Sequence, residues 1–412
     1  MSYHELGHTL GRLWVMPMAI VACMTHKGEP GITGLSTGSG SSSGTSEAGG
    51  EACGDGKPAP GVYCFEQHDV PSIVGPAIVV GAEFVVQEPP RLAVFSLVGP
   101  STIVRWENGS VVVSTDLPSV TPAAGMQVFA ADVQGTPEPE LVFTYPTGAS
   151  FAPNAGGVLQ ERVSLGFPES AFVEPGMAFP FDLEADGQVD YAKGAGQRLR
   201  LWRGQVGNLE EDPLLEFPVP GCSRLSGIAA GDFNNDGLAD LAYNGLATTD
   251  GDSGCVDVAT HGVAILLQTE SGGLSAKPTL STGQHTYSEV RVADFDGDDA
   301  DDVAVLGNED ALLLFRSLGT GAFAPPVSLT EVVSYAVGDL DGDGAAECVI
   351  LRKDRSVVVM DEIFGEPVVT PMPNLTGSPL GTVDLNLDGV DDIAFRWEGV
   401  EALSLALAIS SP

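Results

Sequence analysis

A nine-residue acidic segment recurs along this chain, and its spacing leaves few folds open. Four copies align residue for residue: Asp232-Phe-Asn-Asn-Asp-Gly-Leu-Ala-Asp240, Asp294-Phe-Asp-Gly-Asp-Asp-Ala-Asp-Asp302, Asp339-Leu-Asp-Gly-Asp-Gly-Ala-Ala-Glu347 and Asp384-Leu-Asn-Leu-Asp-Gly-Val-Asp-Asp392. A fifth, Asp182-Leu-Glu-Ala-Asp-Gly-Gln-Val-Asp190, carries a longer acid at its third place. Two fainter echoes keep the position and lose the acids, one from Asp132 to Glu140 and one from Glu83 to Arg91. The seven starts, at residues 83, 132, 182, 232, 294, 339 and 384, lie about 45–60 residues apart, the period of propeller blades. The expected fold is all-β: a seven-bladed β-propeller of four-stranded blades, with the acidic loops between strands 1 and 2. The 52 Gly and 29 Pro fit the many turns such a ring needs.

Apolar runs inside a unit agree with that plan. In the fourth unit, residues 227–231 lead into the acidic loop and 238–243 leave it, while 263–267 and 274–280 supply two more strands. After the last loop only residues 393–397 and 403–409 read as strands, so one strand is missing. Residues 61–65, ahead of the first repeat, are expected to supply it and staple the ring, which places the domain at 53–412.

Within each loop, places 1, 3 and 5 present short oxygen side chains on one side of a tight turn. Place 6 wants φ > 0, place 7 offers a carbonyl, and place 9 returns a carboxylate. Hard oxygens on a flexible loop suit Ca²⁺, which takes six to eight such ligands, better than the strictly octahedral Mg²⁺. An EF-hand is excluded, since it needs a Glu at its twelfth place and flanking helices. The expected ligands are Asp182, Glu184, Asp186 and Asp190; Asp232, Asn234, Asp236 and Asp240; Asp294, Asp296, Asp298 and Asp302; Asp339, Asp341, Asp343 and Glu347; and Asp384, Asn386, Asp388 and Asp392. Together they would hold three to five calcium ions. Asp299 stands where place 6 wants Gly and would have to adopt the αL conformation. The 83 and 132 loops are expected to bind nothing.

These loops make the chain resemble the FG-GAP/VCBS repeat family, which builds the seven-bladed propeller of integrin α-subunits and of many bacterial surface proteins. The resemblance rests on the Asp-x-Asp/Asn-x-Asp-Gly-x-x-Asp pattern, with Gly321-Ala322-Phe323-Ala324-Pro325 as a partial FG-GAP element. It implies calcium at the loops and roles in adhesion or ligand recognition.

A formal net charge of −38 repels phosphate backbones and anionic lipid, which excludes nucleic acid as a partner. Hydrophobic content of 43% excludes a disordered acidic tail. The start reads as an export signal: Arg12 precedes an apolar stretch, 13–22, too short to span a bilayer. It ends Ile20-Val21-Ala22-Cys23, which resembles a lipobox, so residues 1–22 are expected to be removed and Cys23 lipidated. The Gly/Ser-rich segment up to residue 52 reads as a flexible tether. Surface display through a lipid anchor, as a monomer, is the expected location; plain secretion is the alternative. Export permits disulfides, and Cys53 with Cys64, and Cys222 with Cys255, read as pairs. Cys348, in an apolar run, reads as a buried free thiol.

In a four-stranded blade the 1–2 and 3–4 turns share one face of the disc, so the acidic loops lie together. The inserted loop 248–262, His261, His285 and the basic turn Lys193 to Arg198 then fall on the other face, the candidate ligand patch. A ligand-binding or adhesion scaffold for a protein or glycan is the first functional expectation, and no catalytic residue is assigned. A polysaccharide lyase, using His261 or His285 with Tyr287, and a structural part of an envelope assembly are the alternatives.

Overall fold

The computed structural model describes residues 61–74, 77–85, 88–96, 100–115, 117, 126–136, 138–145, 148–165, 178–182, 189–195, 198–205, 208–209, 213–219, 224–246, 262–269, 273–282, 287–307, 310–398 and 403–410. These form seven antiparallel blades. Blade 1 runs Ala77–Ala82, Arg91–Ser96, Thr102–Glu107, Ser110–Ser114, and blade 2 runs Gln127–Ala131, Glu140–Tyr145, Gly148–Ala152, Val163–Ser164. Blade 3 is Ala178–Phe181, Asp190–Ala195, Arg198–Trp202, Leu215–Pro218. Blade 4 is Arg224–Gly231, Asp240–Leu246 and Gly262–Gln268, with an outer strand split into Leu274–Ala276 and Leu280–Ser281. Blade 5 is Tyr287–Ala293, Asp302–Gly307, Ala311–Phe315, Val327–Thr330, and blade 6 is Val332–Gly338, Glu347–Arg352, Val357–Asp361, Val368–Pro371. Blade 7 combines Ser378–Val383, Asp392–Glu398 and Leu403–Ser410 with Phe65–Val74 from the opposite end of the sequence.

Burial is greatest in the second strands and least in the outer ones, and sequence character follows it. A second strand is covered on both faces by neighbouring blades, so Asp302–Gly307 is buried at every residue and reads as a continuous apolar run. An outer strand alternates half-buried with exposed, as Leu215–Pro218 and Val327–Thr330 do. The core therefore lies between blades rather than within them. Phe295, Ala304, Leu306, Leu312 and Leu314 of blade 5 interlock with Tyr335, Cys348, Ile350, Val358 and Met360 of blade 6. Each Leu, Ile, Val, Met or Phe among them contributes about 1.5–3 kcal/mol by leaving water. Cys348 is a free thiol with no exposed surface, and burial pushes its pKa up.

Ring closure differs in detail from the sequence expectation. The closing strand begins at Phe65 instead of ending there, and it pairs Phe65 with Ser410 through to Val74 with Ser404. A register shift between Asp69 and Val74 contains Pro71, which an edge strand tolerates because its outer side makes no ladder bonds. Tyr63 and Phe65 pack against the cluster between blades 6 and 7, so the segment before the strand also closes the ring. Cys64 is buried just ahead of the closing strand, and Cys53, its expected partner, lies outside the described residues.

Candidate metal centre

Every acidic loop is the connection between strands 1 and 2 of its blade, and in each blade place 9 is the first residue of strand 2. Place 1 builds the turn. The Asp232 carboxylate accepts N–H bonds from Asn234 (3.4 Å), Asp236 (3.1 Å) and Gly237 (2.7 Å). Asp294 does the same for Gly297, Asp298 and Asp299, Asp339 for Gly342 and Gly344, and Asp384 for Asp388 and Gly389. Place 5 then accepts the N–H of place 7, as Asp298 does from Ala300 at 3.0 Å. Asp299 takes φ +67° at place 6, the αL conformation expected of it. Place 4 also has positive φ, which sequence reasoning missed; Leu387 (φ +60°) hides a requirement that Asn235 and Gly297 signal.

Place 9 has a second task. Asp302, with no exposed surface, accepts the place-2 N–H of Phe295 on one oxygen (3.0 Å) and the N–H of Ser317, just past strand 3, on the other (2.6 Å). Asp240 is bonded in this way by Phe233 and Gln268, and Asp392 by Leu385 and Ser410. Asp190 accepts from Gly204, and even the acid-poor blade 2 keeps the arrangement, with Glu140 accepting from Val133 at 2.7 Å. The place-9 carboxylate thus ties the 1–2 loop to its own blade. Burial, opposed by these N–H bonds and reinforced by the loop acids, pushes Asp240 and Asp392 up to about 7, Asp302 to about 8 and Glu347 to about 9.

The loops are alike in sequence and unlike in charge balance. In blade 4, Asn234 donates its amide to Asp236 (3.0 Å). In blade 7, Asn386 and the Ser410 hydroxyl both donate to Asp388, at 2.8 and 2.7 Å. In blade 5, Arg316 forms ion pairs with Asp296 and Asp298. Blade 6 holds the most buried set: Asp341 and Glu347 are each 1% exposed. Ligand oxygens of Asp294, Asp296 and Asp302, and of Asp339, Asp341 and Glu347, lie within 4.8 Å of one another, close enough to share one cation.

Adjacent loops are also joined. The place-8 N–H groups of Asp301, Ala346 and Asp391 donate to the place-1 carbonyls of the preceding blade, Asp232, Asp294 and Asp339, at 2.7–2.9 Å. The Asp301 carboxylate additionally accepts the Asp232 N–H at 2.7 Å. Where place 8 is Asp, the approach needs a glycine before place 1: a Cβ on Gly338 would lie 2.4 Å from Asp391 Oδ2, whereas Ala293 precedes the loop that meets Ala346.

Of the remaining sequence candidates, Asp182 is half-buried beside its strand, while Glu184 and Asp186 lie outside the described residues. So do Cys23, Cys222, Cys255, His261, His285 and the side chain of Tyr287. Lys193 corrects the expected basic turn. It sits in the second strand of blade 3, paired with Ala178 and Arg200, and is fully buried, so it cannot present charge to a ligand. Arg198 is exposed where strand 3 begins and reaches Glu216 at 3.4 Å.

Residues 294–350 match the FG-GAP-like repeat family model. No curated protein matches the chain. Among solved structures, a lectin of Agrocybe aegerita, described as recognising non-reducing terminal N-acetylglucosamine, superposes with a TM-score of 0.53 at 15% identity. That alignment covers 73% of this chain and 80% of the lectin. BBS1N, solved in complex with ARL6DN, gives 0.53 at 13% identity, covering 85% of this chain and 97% of that one. At these identities the likeness is one of fold.

Proposed function

We propose that this chain is an exported, calcium-loaded β-propeller that serves as a ligand-binding scaffold at the cell surface. The observation that carries the reading is the convergence of acidic side chains onto one shared turn geometry at the 1–2 loops. Uncompensated, those carboxylates repel; a divalent cation turns each cluster into a brace, and an all-oxygen donor set on a flexible loop favours calcium. Buried place-9 acids raised toward neutrality fit the same account, since they lack the charge that would stabilise their ionised form. The Gly/Ser-rich segment behind Cys23 supports a tethered, surface-displayed form.

With one face of the disc given to the acidic loops, recognition falls to the opposite face, where Arg198 is exposed. Glycan recognition is the binding class to test first, since a lectin shares this fold at a TM-score of 0.53. The test is a glycan array probed with the mature chain in calcium and in chelator. Calcium-dependent binding to a discrete glycan set supports the proposal. No retained glycan, together with release of unsaturated uronate from an acidic polysaccharide, overturns it in favour of a lyase.

A further inference from the structure

Blade 6 departs from its neighbours at one position outside the nine-residue loop. In blade 5 the residue after place 9, Val303, pairs with Phe315, and Arg316 follows it. In blade 6 the matching pair is Cys348 with Met360, and the residue that follows is Asp361. Where blade 5 swings a guanidinium over its loop acids, blade 6 therefore supplies another carboxylate.

That exchange has a visible consequence. In blades 4, 5 and 7 the second oxygen of the place-9 acid accepts the next N–H along, from Gln268, Ser317 or Ser410. In blade 6 the equivalent N–H, that of Glu362, turns to Asp361 Oδ1 instead. Glu347 bonds Leu340 through Oε2 (2.6 Å), while Oε1 is buried with no hydrogen-bond partner. A buried, unpartnered carboxylate oxygen at the centre of an acidic cluster is the feature a cation would satisfy. Over the same loop lies the N-terminal segment: the Gly61 N–H donates to Asp341 Oδ2, and Tyr63 sits where Glu347, Asp361 and Asp341 all act on its hydroxyl.

We propose that blade 6 carries a composite divalent-cation site in which Asp361 joins Asp339, Asp341 and Glu347, and that its occupancy locks the roof formed by Gly61–Tyr63, making ring closure cation-dependent. This rests on the calcium reading above and adds a ligand and a consequence specific to one blade. A cation that fixes Asp341 fixes the acceptor of the Gly61 N–H. It also removes the repulsion among the four acids, three of which, Asp341, Glu347 and Asp361, act on Tyr63. The other loops brace their own and neighbouring blades, whereas this one also holds the N-terminal segment that leads into the closing strand.

The experiment combines calcium stoichiometry by equilibrium dialysis with hydrogen–deuterium exchange over residues 61–74, on the mature chain, with and without chelator. Expected is a calcium-induced slowing of exchange in that segment by about tenfold or more, which corresponds to ~1.4 kcal/mol. Asp361→Asn should weaken one site by about tenfold and abolish the slowing. Asp361→Arg, which copies Arg316, should protect the segment even in chelator. Asp236→Asn in blade 4 should leave the segment's calcium response unchanged. Calcium binding without any slowing over 61–74, or unchanged stoichiometry and exchange in Asp361→Asn, overturns the composite site and leaves the broader reading standing. No bound calcium at all overturns both.

Discussion

The two roles of the place-9 acid can be separated by comparing Glu140→Ala with Asp302→Ala. Glu140 lies in a loop with few acids, is fully buried, and accepts the Val133 N–H (2.7 Å) and the Thr136 hydroxyl (3.2 Å). Asp302 is equally buried and accepts the Phe295 and Ser317 N–H groups. Asp302→Ala strands two buried N–H donors and Glu140→Ala strands that of Val133, since the Thr136 hydroxyl can turn to the Glu138 carbonyl (3.1 Å). At about 1–3 kcal/mol per stranded donor, the losses in chelator should be roughly 4 and 2 kcal/mol. In calcium the two diverge further. Losing a site that is filled at about 100 times its Kd removes a further ~2.7 kcal/mol from Asp302→Ala and nothing from Glu140→Ala. Urea denaturation followed by tryptophan fluorescence, in calcium and in chelator, reads both terms from the midpoints. A Glu140→Ala loss below about 1 kcal/mol would refute the clamp. An equal calcium increment in both variants would refute the assignment of a cation to the blade-5 loop.

Two more expectations follow from the same geometry. In chelator, Asp240, Asp302, Glu347 and Asp392 titrate higher in the folded state than in the unfolded chain, so the folded state holds more protons between about pH 4 and pH 7–9. Their stabilising contribution is complete at low pH and is lost as pH rises, so the chelated protein should melt highest near pH 5 and progressively lower toward pH 9. Calcium, which needs the ionised acids, should flatten or reverse that slope in thermal melts, and parallel slopes would count against metal at these loops. Gly338→Ala places a Cβ 2.3 Å from Thr382 Oγ1 and should cost about 1–3 kcal/mol by urea titration, whereas Gly365→Ala, whose nearest neighbour is at 3.5 Å, should be close to neutral.

The ring was legible because each loop announces where strand 2 begins: Asp190, Asp240, Asp302, Glu347 and Asp392 all open one. That the missing strand comes from ahead of the first repeat was legible too, but its bounds were not, since Phe65-Glu-Gln-His-Asp-Val-Pro is polar and holds a proline. Only its pairing with the apolar Leu403–Ser410 makes it a strand. Lys193 misled because a charged residue beside Gly194 reads as a turn, while the blade-3 register buries it. The acidic loops were legible as a motif, and the differences among those of blades 4 to 7 were not. What distinguishes them, Arg316, Asp361 and Ser410, lies in or just beyond strand 3, outside the repeated nine residues. The coupling between neighbouring loops had a readable trace, with Gly231 and Gly338 matched by Asp301 and Asp391 one repeat later, but its meaning needs the ring.

Because Phe65–Val74 is laid outside Leu403–Ser410, the earliest-made strand of the propeller waits for the latest-made one. A ribosome-bound chain can stack its middle blades yet cannot shut the circle until those final residues emerge. The contacts that join the two ends are also the most distant in sequence, the kind that form last and slowest. The ring is thereby kept unlocked while the chain is still being made, and it seals only once Leu403–Ser410 is available to pair.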